Sequence, residues 1–353
     1  MKYLIKSEYI KEYGNIIEEL LIKRGWEKGD KNVDFVYVDG KYAWNKNLSK
    51  LPKYKMINVV DKGKETVTLK NNLYKNMKKE YPKIYKKYFV GQIEIDLNKL
   101  QLKKIKKFID KYKVVILKPI FGFSGSGIKV FNKYDILIKH LKKIKNNNNC
   151  NDIKWKKNCY WVLSEYIQNP MLIKKKKFHI RIFMLYTYIN NKKEGYLYKK
   201  GTVLHAKNDY KKNILNKNIS NSHLKTTIFK IYYPNNFKKI IPENKLKDIK
   251  KNMKKLFKHC FKLLDVKCIN CKNCFEFFGA DIMILKDYNI KILEFNDKIT
   301  YYPQFFNFNK TNYKNLINNI FKLTIDKVYI KDNKNNKDNK DNKDNKNKLL
   351  IKL

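Results

Sequence analysis

A chain of 353 residues with 43% hydrophobic content can bury a large core and more than one packed unit, and 26 Tyr and 20 Phe exclude a wholly disordered protein. Lys and Arg together number 80 against 32 Asp and Glu, a net charge of +48 that favours an acidic partner, either nucleic acid or an acidic protein tail, although the lysine and asparagine recurring throughout would also produce it as biased composition. Only Arg24 and Arg181 are arginines, which argues against a reader of bases or phosphates; no apolar run reaches membrane length, and the first eight residues hold no long apolar stretch, so a cytoplasmic protein with no membrane partner is expected.

In chain order, residues 18–26 read as the end of a helix stopping near Gly25, and Asp34-Phe35-Val36-Tyr37-Val38 reads as a strand. Helix and short strands mix over residues 1–110, an N-terminal subdomain. Residues 111–167 hold a strand, a glycine loop, a helix and a further strand, a central subdomain. Residues 168–328 hold long alternating strands and a helix near 244–264, a C-terminal subdomain. Strands alternating with helices predict an α/β or α+β build. From residue 331 the chain repeats Asp-Asn-Lys units with no apolar residue before Leu349, so 331–353 reads as a disordered, solvated tail that the fold does not need. Cys268, Cys271 and Cys274 sit close enough to share a metal if His259 or Cys260 completed the set, but no distant Cys-x-x-Cys pair accompanies them, and reduced loop cysteines are the simpler reading.

Three blocks carry chemistry. In the first, the apolar run Val114-Val115-Ile116-Leu117 delivers Lys118, and a glycine loop containing Gly122, Gly125 and Gly127 follows. Glycines let backbone N–H groups approach an anion closely, and the lysine adds a point charge. The order of residues fits neither a Walker A loop, nor a dinucleotide fingerprint, nor a protein kinase, whose glycine loop precedes its lysine. The second block, Lys177-Phe178-His179-Ile180-Arg181-Ile182-Phe183-Met184, alternates so that Lys177, His179 and Arg181 share one strand face. A solvated sheet face would look the same, but an arginine in a chain so rich in lysine points to bidentate binding of phosphate or carboxylate.

The third block is a hairpin. Asp281-Ile282-Met283-Ile284-Leu285 reads as an apolar strand led by an acid, residues 286–289 turn, and Ile290-Lys291-Ile292-Leu293-Glu294-Phe295-Asn296 returns. Glu294 and Asn296 share a face, and closure brings Asp281 opposite residues 294–296, with the register open by one. Two carboxylates among apolar neighbours need a cation between them, and oxygen-only donors suit Mg²⁺ carrying nucleotide phosphates. A salt bridge to one of the many lysines is the simpler alternative.

These blocks, in this order, resemble the tubulin-tyrosine ligase family of ATP-grasp enzymes. The run Tyr160-Trp161-Val162-Leu163-Ser164-Glu165-Tyr166-Ile167 is similar to its adenine-hinge strand. Phe275-Glu276-Phe277-Phe278-Gly279-Ala280-Asp281 and Leu293-Glu294-Phe295-Asn296 are similar to its metal-binding strands, and Met56-Ile57-Asn58 and Leu69-Lys70-Asn71-Asn72-Leu73 to its N-terminal pattern. The resemblance covers residues 33–325 and implies an ATP-grasp fold with a smaller N-terminal subdomain. It implies that Lys70 and Lys118 contact ATP phosphates or adenine, with Gly125 and Gly127 in the glycine loop. The backbone of Glu165, Tyr166 and Ile167 would hold the adenine, and Lys177 and His179 would face the ribose. Arg181 would stabilise the transferred phosphate, and Asp281, Glu294 and Asn296 would hold Mg²⁺.

The chain departs from the family pattern in four places. His179 stands where Asp is usual, and the glycine loop lacks a basic residue near Ser124. No second arginine follows Gly201, which leaves Lys207 as the nearest stand-in, with His205 beside it. The His-Leu-Thr-Asn motif survives only as His223-Leu224-Lys225-Thr226. The implied activity is ATP- and Mg²⁺-dependent joining of a free amino acid (Tyr, Glu or Gly) to a protein through an acyl phosphate, with the acidic tubulin tail as partner on microtubules. Two other readings stand beside it: a non-catalytic relative that binds nucleotide or tubulin only, and a basic nucleic-acid-binding protein. The acid cluster argues against the latter.

Overall fold

The computed structural model describes all residues except 9–14, 44, 61, 121–126, 148–158, 211–225, 265–271, 298–309 and 330–348. The chain begins in a large sheet with β1 (Lys2–Lys6), β2 (Glu27–Lys28), β3 (Val33–Val38) and β4 (Tyr54–Ile57). It then builds a separate four-stranded sheet from β5 (Gln92–Asp96), β6 (Val115–Pro119), β7 (Lys129–Phe131) and β8 (Tyr160–Glu165), ordered β5-β8-β6-β7 and antiparallel throughout. It returns to the large sheet with β9 (Leu172–Ile173), β10 (Lys176–Ile189), β11 (Lys192–Ala206), β12 (Thr226–Tyr233), β13 (Asn273–Ile284), β14 (Ile290–Asn296) and β15 (Leu350–Lys352).

The large sheet runs β12-β11-β10-β13-β4-β3-β1-β2, with β14 on β13, β15 on β11 and β9 on β10. Its first-half strands pair in parallel, and β10 to β15 pair antiparallel. The seam is β13, which pairs in parallel with β4 through Asn273 and Cys274 and antiparallel with β10 and β14 further along. All twelve residues of β13 are buried, so it needs cover on both faces. One cover is the helix Glu243–Leu263, whose Leu246, Ile249, Met253, Leu256, Phe257 and Cys260 recur at helical spacing and face the sheet core. The other is made by the helices Asn15–Ile22 and Lys310–Leu323, packed on Phe275, Phe277 and Phe183. Arg24 joins that second layer: its Nε and Nη2 donate to both carboxylate oxygens of Asp326, at 2.8 and 3.0 Å.

The helix expected over residues 18–26 runs Asn15–Ile22, and Gly25 turns the chain just after it at φ 74°. The small sheet has its own core, from Ile95 and Ile105 to Leu163, so β5 and the helix Leu102–Tyr112 pack with residues 115–165 although both begin before residue 111. Asp281 does not lead a strand, because β13 starts eight residues earlier.

The tail expectation also changes at its end. Residues 330–348 lie outside the described residues, but Leu350–Lys352 pairs antiparallel with Tyr196–Tyr198 of β11. Leu350 enters the second core layer, and Lys352 reaches Glu194. An apolar Leu349-Leu350-Ile351 triplet following polar repeats is a short strand in search of an edge, and β11 supplies one.

Candidate functional site

β10 and β13 are in register with Arg181 opposite Asp281, and β13 and β14 with Asp281 opposite Glu294, so three neighbouring strands bring these side chains into one row. The hairpin register left open by one in the sequence is thereby fixed. Gly279 pairs with Asn296, which puts the amide on the same face two residues along. The Arg181 guanidinium grips Asp281 with both forks: Nε donates to Oδ1 and Nη2 to Oδ2, each at 2.8 Å. His179 Nε2 lies 3.5 Å from Asp281 Oδ2. Lys70, the first residue of the helix Lys70–Glu80, comes over the sheet edge to 3.8 Å from Glu294 Oε2, and Asn296 Nδ2 donates to Glu294 Oε1 at 3.2 Å.

Asp281 is 4% exposed. Burial would raise its carboxyl, but the Arg181 guanidinium and His179 overturn that and hold it well below the usual carboxylate range. Arg181 is raised in return: burial opposes its charge, and Asp281 outweighs burial. His179 is pushed down, by burial first and by Arg181 against the pull of Asp281.

The small sheet closes the other side. Lys118 projects from β6, and burial lowers its ammonium, opposed by Glu294 and reinforced by Lys70. Lys177 lies with its Nζ 4.1 Å from the centre of the Tyr166 ring and 5.9 Å from that of Tyr210, and 3.5 Å from the Ile167 carbonyl. Burial, then the charge of Lys118, pulls Lys177 down to about 7. Lys118 of the small sheet thus comes near Lys70 and near Lys177, Asp281 and Glu294 on the face of the large sheet that also carries Arg181 and Asn296.

Within the hinge, the Glu165 N–H donates to the Gly91 carbonyl at 2.8 Å and the Tyr166 N–H to the Val114 carbonyl at 3.1 Å. Both donors are engaged inside the fold.

Gly127 is in the left-handed region at φ 74°, and a Cβ there would come within 3.2 Å of the Trp161 ring, so glycine is required by both conformation and space. Gly125 lies outside the described residues.

Lys207 is not brought to this cluster. Phe178 pairs with His205, so His205 follows the parity of Phe178, opposite to that of His179 and Arg181. Lys207 is exposed just beyond β11, and its carbonyl accepts from Lys176 Nζ at 2.6 Å. Thr202, buried, sits opposite Arg181.

The zinc alternative has no support among the described residues, where no cluster of three His, Cys, Asp or Glu ligands forms. Cys260 is buried in the main core with its thiol pushed up to about 12 by burial, and the His259 ring packs edge-on against Tyr81. Cys268 and Cys271 lie outside the described residues, and Cys274, expected as a reduced loop cysteine, is instead disulfide-bonded and lies within β13.

Sequence reasoning gave no role to Lys64, Glu276 and Asp297. Lys64 Nζ lies 3.4 Å from Glu276 Oε2 and 3.4 Å from Asp297 Oδ2, and Glu276 Oε2 also accepts the Val60 N–H at 2.8 Å. An acid inside the apolar run Phe275-Glu276-Phe277-Phe278 was a readable signal for Glu276; nothing local marked Lys64.

A large mixed sheet and a small antiparallel one closing on a cationic cleft with an acid row is an ATP-grasp arrangement. The protein superposes on the C-terminal domain of K. lactis Pby1, an ATP-grasp enzyme interacting with the mRNA decapping enzyme Dcp2, with a TM-score of 0.61 over 91% of each chain at 20% identity, a likeness of fold. Residues 47–230 and 218–337 match the tubulin-tyrosine ligase family, and the chain belongs to it. A tubulin glycylase 3C of Tetrahymena thermophila is 28% identical over 202 residues, 52% of this chain and 18% of the relative. A probable tubulin–tyrosine ligase of Schizosaccharomyces pombe is 28% identical over 178 residues, 48% of this chain and 42% of the relative. A probable alpha-tubulin polyglutamylase of Tetrahymena thermophila is 27% identical over 198 residues, 51% and 47% of the two. The chain spans less than half the length of these relatives. No helix among the described residues is long and apolar enough to cross a membrane.

Proposed function

We propose that this protein is an ATP- and Mg²⁺-dependent carboxylate–amine ligase that joins an amino acid (Tyr, Glu or Gly) to a protein, with the acidic tail of tubulin as the acceptor and the cytoplasmic microtubule as its setting. The observation that carries the reading is the row Arg181–Asp281–Glu294 across three strands, with Lys177 on the same sheet face and Lys70 and Lys118 brought against it. Asp281, Glu294 and Asn296 offer oxygen donors only. Two carboxylates and an amide suit an ion that keeps several waters and takes its other ligands from phosphates, which is the habit of Mg²⁺. Bound there, the metal would neutralise charge on the transferred phosphoryl group.

The chain's own residues supply the rest. Lys118 and Lys70 offset phosphate charge in a buried setting where each charge counts for more than in water. Lys177, held over the Tyr166 ring, would face the sugar of the nucleotide. Arg181 would stabilise the phosphate passing to the acceptor carboxylate and the tetrahedral oxyanion formed when the amine attacks.

The engaged state of Arg181 favours a second reading, a relative that binds nucleotide or tubulin without turnover. Its one guanidinium is already committed to Asp281, and Thr202, not a cation, faces it from β11. A turnover screen separates the two: ATP, Mg²⁺, each of the three labelled amino acids, and tubulin. Incorporation of label supports the ligase. Mg²⁺-dependent ATP binding with no incorporation for any amino acid supports the binding relative, and salt-sensitive nucleic-acid binding without ATP binding overturns both.

A further inference from the structure

The two faces of β13 carry different acids. Asp281 shares its face with Arg181, Glu294 and Asn296, whereas Glu276 has the parity of Phe278, Ala280 and Ile282, which face the helix Glu243–Leu263. On that opposite face Lys64 joins Glu276 to Asp297, the residue directly after Asn296. Lys64 and Glu276 are 3% and 2% exposed, and burial, which alone would lower the Lys64 ammonium, is outweighed by the two carboxylates, so the charge stays.

Lys64 is also fixed from its own side. The Val60 N–H donates to Glu276, and Lys64 immediately precedes the short helix Glu65–Thr68, which leads through Leu69 to Lys70. The segment 60–70 therefore grips the end of β14 twice: at Asp297 through Lys64 from the back, and at Glu294 through Lys70 from the cleft. Glu294 and Asn296 lie between the two grips. Among the described residues β14 pairs with β13 alone, and a bulge interrupts that pairing between Asp281 and Ile282, so the ladder by itself holds this end less firmly than a central strand.

We infer that Lys64 is a positioning residue for the donor set: by holding Asp297 and Glu276 together on the back of the sheet it fixes where Glu294 and Asn296 stand in the cleft. The inference rests on the ligase reading in one respect, that these two residues serve a Mg²⁺–nucleotide. Outer partners of metal ligands act in this way, and their removal weakens metal binding by about 10- to 100-fold.

The test uses the full chain and a fluorescent ATP analogue, with nucleotide affinity measured as Mg²⁺ is titrated and again with chelator. Asp297→Asn cuts one arm while leaving the buried Lys64–Glu276 pair whole. It is expected to raise the Mg²⁺ concentration needed for tight nucleotide binding by about tenfold, with metal-free affinity and melting temperature near wild type. Lys64→Met should do the same or more, and Lys64→Arg should restore most of the Mg²⁺ dependence. Should Lys64→Met fail to fold, Asp297→Asn and Lys64→Arg decide. Glu294→Gln is the control for the reading itself. If Glu294→Gln loses the Mg²⁺ dependence while Asp297→Asn keeps it, or if the variants lower the melting temperature without moving it, the inference is overturned and the reading stands. If wild type shows no Mg²⁺-dependent binding, both are overturned.

Discussion

Arg181 and Asp281, a hundred residues apart in sequence, face each other across adjacent strands and satisfy each other with two hydrogen bonds of 2.8 Å. The same two residues are the ones a phosphate and a Mg²⁺ would claim. Within the cationic cleft these two charges offset each other, so a phosphate or metal binding at them would compete with an existing ion pair.

The energetic consequence is testable without any ligand. Removing one member leaves the other charge buried and unpaired, so Asp281→Asn and Arg181→Met should each destabilise by roughly 3 kcal/mol or more. The double variant should cost far less than the sum, because its remaining groups carry no stranded charge. Urea denaturation of the four proteins gives the coupling; additive losses would mean that the pair is screened by water and does not hold the apo site together.

Lys177 gives a pH signature. Its ammonium is pulled from its ordinary 10.5 to about 7 by burial and by Lys118, so between those values the unfolded chain binds more protons at this position than the folded one. Stability from this group accordingly rises as pH goes from 7 towards 10, and is flat below 7, with a slope of at most about 1.4 kcal/mol per pH unit. Lys177→Met removes the term. Its stability relative to wild type, measured by denaturant melts at pH 7, 8 and 9, should be most favourable at pH 7 and decline with pH. A constant difference would show that Lys177 stays protonated in the fold.

The C-terminal strand should matter to stability. Leu350 is buried against the layer that holds Phe183 and Phe277, the Leu353 N–H donates to the Gly195 carbonyl, and Glu194 takes both Lys327 and Lys352, which hold its carboxyl down near 2. Truncation after Ile330 is expected to lower the melting temperature by about 3 °C, the scale of roughly 2 kcal/mol in a protein of this size. Leu350→Ala should account for much of it, and Lys352→Ala for little, since that lysine is largely exposed. An unchanged melting temperature on truncation would mean that the strand docks without contributing.

What was legible in the sequence followed from period. Alternation over residues 177–184 placed Lys177, His179 and Arg181 on one face, and the 281–296 hairpin put Asp281 beside Glu294, because a strand's side-chain period is fixed whatever its tertiary partner. The rarity of arginine was a weaker guide than it looked: Arg24 is as scarce as Arg181, yet it ties the N-terminal helix to Asp326. Pairings between distant segments carried no local mark. Neither Lys64 with Asp297 nor β15 with β11 could be read from spacing, since the polar repeat before Leu349 hides a strand whose edge lies some 150 residues upstream.

Lys207 and Arg181 provide the last discrimination. Without a second arginine after Gly201, Lys207 was the nearest cation in sequence, but it lies beyond the end of β11 with its side chain exposed. Arg181 must then act without help from β11, where Thr202 stands opposite. A lysine in place of Arg181 keeps the charge but loses the fork that now grips Asp281 and would grip a phosphate. Arg181→Lys is therefore expected to lower ligation by about two orders of magnitude, the scale of one lost oxyanion donor, while nucleotide affinity changes less. Lys207→Ala should leave kcat within about twofold of wild type, as surface substitutions away from a site usually do. A loss for Lys207→Ala approaching that of Arg181→Lys would mean that the chain beyond β11 closes over the cleft during turnover and carries Lys207 in with it; near-normal ligation by Arg181→Lys would remove Arg181 from the mechanism.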